Sequence, residues 1–279
     1  MLHDMHDAPT AISPEFANQV PDIVAALSDA VDDVPLAGRQ WVFYGSLPLG
    51  AGREGSDLDA MLLHDTALGL APHRRDATWD GRPVTVYVLS HQDLADDARE
   101  RRFGGYFALK LFSPSCTDVP DRAGALAEAA ARFLGTLGTS GGFGVGPWTA
   151  DQLLARAYLA FVDLYPGFGS YIARLAREPG LMGLVWAHQR AEYVGALRSM
   201  GRITSAGDDL WRHDGQEEPV DEVRDRCTAR FWAFGAVCHG ADAGFPDLYY
   251  AKADARASRT EQDAALGLLH GAAAAGMSC

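Results

Sequence analysis

The stretch that decides the fold, residues 42–63, reads VFYGSLPLGAGREGSDLDAMLL. It opens with an apolar, β-prone run, turns at Gly45 and Ser46, passes through a glycine-rich loop and ends in a second apolar run. The pattern predicts two strands, the second of which carries Asp57 and Asp59. Because alternate residues of a strand point to the same face, we expect both carboxylates on one side of the sheet.

Two neighbouring carboxylates repel each other unless a cation or a proton lies between them. Paired oxygen ligands suit Mg²⁺, which proteins hold through one or two carboxylates together with substrate phosphates. Asp57 and Asp59 are therefore the candidate metal ligands. Gly45 lets the backbone approach a ligand closely, and Ser46 with nearby N–H groups can bind phosphate. The alternative interpretation is a β-hairpin that carries a solvated acidic patch.

The Gly-Ser turn at 45–46, followed after a loop by SDLD at 56–59, resembles the signature of the polymerase-β-like nucleotidyltransferase superfamily. The resemblance implies a small mixed sheet with flanking helices. It also implies Mg²⁺ and a nucleoside triphosphate, expected to be ATP, as the co-substrate. In that superfamily the residues matching Gly45, Ser46 and Ser56 lie against the phosphates.

The segment at 181–200, LMGLVWAHQRAEYVGALRSM, predicts a helix. Glu192 beside its apolar stripe is expected to be partly desolvated and therefore a better general base. EYVG at 192–195 also resembles the catalytic-glutamate helix of the kanamycin-type aminoglycoside nucleotidyltransferases, in which two subunits share each site. The resemblance implies that Glu192 deprotonates the acceptor hydroxyl, and that the chain forms a homodimer. An ordinary surface glutamate is the alternative. The predicted stripe comprises Leu184, Ala187, Ala191, Val194 and Leu197.

The run PVTVYVL at 83–89 predicts a third strand. Members of the superfamily often carry a third acidic residue on this strand, whereas the matching positions here are Thr85 and Tyr87. Either two carboxylates are enough for the metal, or an acid comes from elsewhere. The alternative function is therefore a catalytically silent nucleotidyltransferase fold that binds a nucleotide or a metabolite.

Basic side chains of the kanamycin-type enzymes are also replaced in this chain. Arg53 and Arg82 are the nearby substitutes that we expect to neutralise phosphate charge. Lys110 is expected to reach the triphosphate, with a solvated lysine on an amphipathic helix as the alternative. The replaced positions are Leu49, Pro83 and Ala196.

The remaining periodicity predicts an α+β fold, with a nucleotidyltransferase domain at 1–120 and a C-terminal helical bundle at 121–279 that meet near 114–121. Residues 66–80 are expected to form a loop or a short irregular element, and His64 is expected on the surface. Helices are predicted at 14–32, 90–112, 121–137, 149–164, 168–178, 181–200, 219–240 and 258–274, and a linker at 138–147.

The composition limits the partners. Hydrophobic residues make up 48% of the 279 residues, and 24 Lys and Arg against 37 Asp and Glu give a formal charge of −13. That charge disfavours nucleic acid and an anionic membrane, because both bind basic surfaces. The four cysteines, none in a C-x-x-C motif, and an N-terminus without signal-peptide features favour a cytoplasmic setting.

These observations together predict an enzyme that moves a nucleoside monophosphate from a Mg-bound triphosphate to a hydroxyl of a small molecule and releases pyrophosphate. An aminoglycoside-like antibiotic and a secondary metabolite are the two acceptors that fit the resemblance. The corresponding roles are antibiotic resistance and secondary metabolism.

Overall fold

The fold is described by a computed structural model. The described residues are 12–34, 38–65, 70–120, 125–138, 146–164, 168–213, 220–239 and 244–274. A five-stranded mixed sheet lies in the first part of the chain, and helices dominate the second part. This arrangement confirms the expected mixture of a sheet followed by helices. The larger buried cluster contains residues from both sides of position 120, and the domain boundary there stays a prediction.

The main sheet contains the three predicted strands and two more. The strands are β1 (Gln40–Tyr44), β2 (Leu58–His64), β3 (His73–Trp79), β4 (Arg82–Ser90) and β5 (Cys116–Thr117). Their spatial order is β3-β4-β2-β1-β5. β2 and β4 run parallel, and the other neighbouring pairs are antiparallel. The acidic strand β2 is therefore central, with the Gly-Ser turn on its β1 side and β4 and β3 on the other.

The two faces of the sheet bury different side chains. One face packs against α1 (Pro14–Leu27), which Ser13 caps by accepting a hydrogen bond from the Phe16 N–H at 3.5 Å. Burial stabilises by about 1.5–3 kcal/mol for each large apolar side chain, so this layer fixes which face of each strand looks away from α1. The layer includes Val20, Ile23, Leu27, Trp41, Phe43, Leu62, Val86 and Val88. The opposite face meets the helical part of the chain through Val42, Tyr44, Met61, Tyr87, Leu89, Phe133, Leu154 and Phe231.

β3 lies within 66–80, where the sequence is expected to form a loop or a short irregular element, so that prediction is wrong for 73–79 and holds for 70–72 and for the turn at Asp80. The strand reads HRRDATW and is polar because it forms the edge of the sheet, where charged side chains discourage pairing with other chains. Asp80 and Gly81 have φ of 48° and 71° and join β3 to β4. Positive φ at both positions is what a two-residue hairpin turn requires.

The helix predicted at 90–112 is shorter than expected. α2 (His91–Glu100) begins with the predicted capping box between Ser90 and Asp93. It ends at Arg101, which adopts a left-handed φ of 52°. The chain then turns back toward the sheet instead of continuing the helix.

Buried Asp97 organises that turn. Its carboxylate accepts hydrogen bonds from four backbone N–H groups ahead of it, and a 3-10 helix at Ala108–Phe112 follows. Burial raises the pKa of Asp97, while these backbone donors oppose the rise. The segment that carries Lys110 is thus fixed by backbone groups. The donors are the N–H groups of Phe103, Gly105, Phe107 and Ala108, at 2.7–3.2 Å.

The C-terminal part is helical as predicted, with additions. α8 and a small three-stranded sheet, in the order β6-β8-β7, lie where no element is expected. Most of the expected linker at 138–147 falls outside the described residues. Among the described helices, none combines the length and the apolar character needed to cross a bilayer. The elements are α3 (Ala125–Gly138), β6 (Trp148–Thr149), α4 (Ala150–Leu164), α5 (Phe168–Ala176), α6 (Pro179–Ser199), β7 (Ile203–Gly207), β8 (Leu210–His213), α7 (Val220–His239), α8 (Phe245–Arg256) and α9 (Arg259–Ala274).

His64 is not the surface residue that its position at a strand end predicts. Only 1% of its surface is exposed, and its Nδ1 lies 2.8 Å from the carbonyl oxygen of Asp65. The carbonyl oxygen of His64 in turn lies 3.0 Å from Nδ1 of His91. This contact joins the end of β2 to the start of α2, so His64 has a structural role.

Candidate active site at the end of the sheet

The acidic pair lies at the end of the sheet beside the turn that precedes it in the chain. Asp57 comes directly before β2, and Asp59 is the second residue of that strand. Across the sheet, Asp59 is level with Tyr44 on β1 and with Thr85 on β4. Asp57 is exposed and Asp59 half-buried, and both line one cleft. The prediction that the strand carries both aspartates is wrong for Asp57, because β2 begins at Leu58.

Gly45 shapes the turn beside this pair. Its φ is 88°, a conformation that favours glycine. A Cβ at this position would lie 3.2 Å from Oδ2 of Asp59, so a side chain here would crowd the carboxylate. The carbonyl oxygen of the next residue, Ser46, accepts a hydrogen bond from the Ala51 N–H at 2.9 Å, which closes the loop. The turn and the acidic pair therefore share one rim.

The cleft extends from this rim in two directions, with cavity volumes of about 160 Å³ and about 270 Å³. Ligand pockets commonly enclose about 300–1,000 Å³, so each direction can hold one part of a ligand. The first direction, the turn arm, is lined by Gly45, Ser46, Tyr171, Arg174 and Glu178, among others. The second, the strand arm, is lined by Arg74, Thr85, Tyr87, Tyr106, His239 and Leu248, among others. Both arms share Asp57, Asp59, Lys110, Tyr249 and Arg256.

Among the described residues, basic and acidic side chains line the turn arm in equal number: Lys110, Arg174 and Arg256 against Asp57, Asp59 and Glu178. Arg174 from α5 is half-buried, and its Nη2 donates to the carbonyl oxygen of Ala51 at 2.9 Å. Burial lowers the pKa of Arg174, repulsion from Arg256 and Arg53 lowers it further, and Glu178 opposes the shift. Three guanidinium groups close enough to repel one another are stabilised when an anion binds among them.

Lys110 reaches the centre of the cleft, where the two arms meet. Its Nζ lies 5.7 Å from the ring centroid of Tyr44 and 5.0 Å from that of Tyr106, within the range of cation–π attraction. The hydroxyl of Tyr44 is buried and has no hydrogen-bond partner among the described residues. Burial raises the pKa of Tyr44 well above its ordinary value, and the carboxylates of Asp59 and Asp57 contribute to the rise. The two carboxylates therefore make the electrostatic potential at this hydroxyl more negative, which favours a cation nearby.

A polar cluster closes the far end of the strand arm. Nη1 of Arg74 lies 2.9 Å from Nδ1 of His239, whose Nε2 lies 3.2 Å and 3.1 Å from the hydroxyls of Tyr87 and Tyr106. Because a guanidinium can only donate, Nδ1 must accept, and we assign the ring proton to Nε2. The two tyrosine hydroxyls lie 2.7 Å apart. His239 therefore acts here as an anchor for Arg74.

Ser56, Arg53 and Arg82 hold the glycine-rich loop together. Oγ of Ser56 accepts from the Arg53 N–H at 2.8 Å, and Nη1 of Arg82 donates to the Arg53 carbonyl oxygen at 3.4 Å. The Arg53 guanidinium lies 3.6 Å from Glu178, which lines the turn arm. None of the three is among the described residues that line either arm. Their contact with phosphate stays a prediction.

Glu192 does not lie in the cleft of its own chain. Its side chain is exposed and lines a groove between α3 and α6 with Glu128 and Arg132 as neighbours. It is absent from the described residues that line either arm. Catalysis by Glu192 within one chain is not supported by this placement, and the shared-site arrangement stays a prediction.

The predicted apolar stripe of α6 is wrong for three of its five residues, while Leu197 is buried and Val194 packs against the core as expected. Leu184, Ala187 and Ala191 are exposed, so Glu192 has no apolar layer beside it that would desolvate it. Apolar residues occur around most of this helix, and the tertiary contacts select a different face from the one expected. The buried face comprises Val185, Gln189, Tyr193, Ala196 and Leu197.

Asp57 and Asp59 are the carboxylates of the cleft that could hold Mg²⁺ jointly with a phosphate ligand. Across the described ranges, no group of three or more His, Cys, Asp or Glu side chains is placed to hold a metal. On β4, the residue level with Asp59 is Thr85, so no third carboxylate comes from this position. Asp57 and Asp59 offer oxygen ligands only, and water and phosphate oxygens would complete an octahedral shell.

Four residues of the cleft carry no signal in the sequence. Arg174 and Arg256 lie on helices more than 110 positions beyond the acidic pair, and His239 ends another helix. Arg74 lies on the unexpected edge strand β3. Only the tertiary fold brings these side chains to the cleft.

No protein-family model and no curated protein matches this chain.

Proposed function

We propose that this chain is a nucleotidyltransferase with the fold of the polymerase-β-like superfamily. It moves a nucleoside monophosphate from a Mg-bound nucleoside triphosphate, expected to be ATP, to a hydroxyl of a small molecule, and it releases pyrophosphate. The observation that supports this most is the shared cleft rim of Gly45, Ser46, Asp57 and Asp59, with Oδ2 of Asp59 against the turn.

In this proposal the residues of the turn arm bind the phosphate chain. Mg²⁺ bound by Asp57 and Asp59 would neutralise phosphate charge and align the reacting phosphorus. The Ser46 hydroxyl and the N–H groups of the turn bind oxygens of the leaving pyrophosphate. Arg174 and Arg256 supply positive charge from the helical part of the chain. This charge replaces the basic side chains that the sequence lacks near the sheet.

Among the described residues of one chain, we assign no side chain as the base that removes the acceptor proton. Burial raises the pKa values of Tyr87 and Tyr106, so their hydroxyls stay protonated at neutral pH and are not available as bases. The lone pair of His239 is engaged by Arg74. A glutamate from a second copy of the chain, Glu192, stays the candidate that the resemblance implies.

A catalytically silent nucleotide-binding protein is the second candidate. The observation that favours it is Thr85, which stands level with Asp59 where related enzymes often carry a third carboxylate. Such a protein would bind a Mg-nucleotide in the turn arm without turnover.

The experiment is a pyrophosphate-release assay with Mg²⁺, four nucleoside triphosphates and a library of hydroxyl acceptors, together with calorimetric titration of the Mg-nucleotides. The enzyme proposal predicts that the wild type turns over. In Asp59→Asn the rate should be about 10³-fold lower, which corresponds to about 4 kcal/mol in the activation barrier. Asp65→Asn is the control, because Asp65 is an exposed carboxylate just beyond the other end of β2.

The outcomes separate the two candidates. Binding without turnover for any acceptor favours the silent protein. Equal affinity of wild type and Asp59→Asn for the Mg-nucleotides contradicts both candidates, because both place the metal on this carboxylate.

A further inference from the structure

The order of the strands indicates the side from which the acceptor enters. In phosphoryl transfer the attacking and leaving oxygens lie roughly in line on opposite sides of the phosphorus. The proposed leaving group lies at Gly45 and Ser46, on the β1 side of the central strand β2. The acceptor must therefore approach from the β4 and β3 side, which is the strand arm.

The strand arm carries the charge opposite to that of an aminoglycoside site. Arg74, Lys110 and Arg256 line it, while Asp57 and Asp59 are the acids among the described residues that do so. Those two acids are already assigned to the metal. An acceptor with several ammonium groups would meet the guanidinium groups of Arg74 and Arg256, which repel like charges at close range. An anionic acceptor would be attracted instead.

Arg74 is held in place as a binding residue would be. Its guanidinium donates to Asp76 through Nη2 and to Nδ1 of His239 through Nη1. The imidazole is anchored in turn by the hydroxyls of Tyr87 and Tyr106. A guanidinium fixed before its ligand arrives loses little conformational freedom on binding.

Two further observations indicate that Arg74 has binding capacity left. Its Nε is buried and has no hydrogen-bond partner within the described part of the chain, and an unpaired buried donor is unfavourable until an acceptor atom satisfies it. The side chain of Asp76 is 69% exposed, against 24% for that of Arg74. Solvent therefore screens the aspartate and leaves a net positive charge at the cleft.

We infer that the acceptor is a hydroxylated anion, whose carboxylate or phosphate group binds Arg74, with Arg256 as the second cation. This inference rests on the proposed nucleotidyl transfer. Leu248, 56% exposed, stands beside Tyr249 and Ala253 in the same arm and provides an apolar wall. The acceptor thus combines an anionic group, a hydroxyl and an apolar body.

The test compares Arg74→Gln with Arg75→Gln. The two arginines are adjacent on β3 and point to opposite faces, and Arg75 pairs with Asp33 at 2.7 Å. Calorimetry with Mg²⁺ and α,β-methylene ATP comes first, and both variants should bind within about twofold of the wild type, since Arg74 lies on the acceptor side. If the wild type itself does not bind the nucleotide, the proposed function is overturned.

The second step is pyrophosphate release with three matched groups of acceptors: amino sugars, hydroxycarboxylic acids and sugar phosphates, each with neutral analogues. Acids or phosphates should be the substrates, and their KM should rise about 10- to 100-fold in Arg74→Gln, with partial rescue in Arg74→Lys. The more active of the two anionic groups identifies the source of the charge.

The inference is overturned, with the nucleotide site intact, if amino sugars turn over best. It is also overturned if no anionic compound turns over, or if Arg74→Gln leaves the KM of the anionic substrate unchanged. Circular dichroism and thermal unfolding of each variant show whether any loss comes from misfolding.

Discussion

The acidic residues that the sequence predicts for catalysis belong to two regions, the β1–β2 pair with the loop between its strands and helix α6. The structure places only those of the first region in the cleft. Asp57 and Asp59 reach a cleft together with the Gly-Ser turn. Glu192 lies exposed in a groove elsewhere. In the strands, backbone pairing fixes the face of every side chain, because a slip of one residue would expose the buried set. In α6, apolar side chains occur on several faces, and only tertiary packing selects one.

The largest effect expected from this comparison concerns the buried face of α6. Tyr193 is fully buried and its neighbour Glu192 is exposed. We expect Tyr193→Ala to lower the free energy of unfolding by about 3–5 kcal/mol, because it empties a core position. The control Glu192→Ala should change it by less than about 0.5 kcal/mol. Urea unfolding measures both changes. A larger loss of stability in Glu192→Ala than in Tyr193→Ala would contradict the buried face described for α6.

A smaller effect is expected at Asp97, which fixes the segment between the acidic strand and Lys110. Each of its two carboxylate oxygens accepts hydrogen bonds from two backbone N–H groups. In Asp97→Asn the amide nitrogen cannot accept, so two donors lose their partner and unfolding becomes easier by about 2–4 kcal/mol. Asp96→Asn, a change to a neighbour that pairs with Arg99 near the surface, should cost less than about 1 kcal/mol. Equal stability of the two variants would show that Asp97 does not organise the turn.

The smallest of the three effects tests the turn beside the acidic pair. Gly45→Ala and Gly81→Ala both place a side chain at positive φ, which costs about 1–2 kcal/mol in each. Only Gly45 has Asp59 beside it, while a Cβ at Gly81 would meet nothing within 4 Å. We expect a loss in Mg-nucleotide affinity of about tenfold, or about 1.4 kcal/mol, for Gly45→Ala alone. A similar loss for both, in calorimetric titration, would mean that the contact with Asp59 is unimportant.

The sequence predicts the strand pair because apolar runs, a turn and a carboxylate pair occur there in a short stretch. The resemblance sets Thr85 and Tyr87 as the positions near the pair, and only the strand register places Thr85 level with Asp59. Local patterns of this kind predict the structure correctly because the central strands are buried on both faces. The capping box at Ser90 and Asp93 is predicted for the same reason, as its two residues interact locally.

The parts that the sequence does not predict depend on distant contacts. β3 is a polar edge strand, and its alternation is hidden by charged residues. Arg174 and Arg256 belong to α5 and α8 and reach the cleft only through helix packing. No local spacing relates such residues to the acidic pair, so their contribution to the cleft becomes visible only in the folded chain.

Anomalous diffraction from crystals soaked with Mn²⁺ and α,β-methylene ATP tests the metal assignment. We expect one manganese peak in contact with the carboxylates of Asp57 and Asp59, with phosphate oxygens in its shell and the terminal phosphates at Ser46. A nucleotide bound with its phosphates away from Ser46, or a metal that contacts neither aspartate, would contradict it.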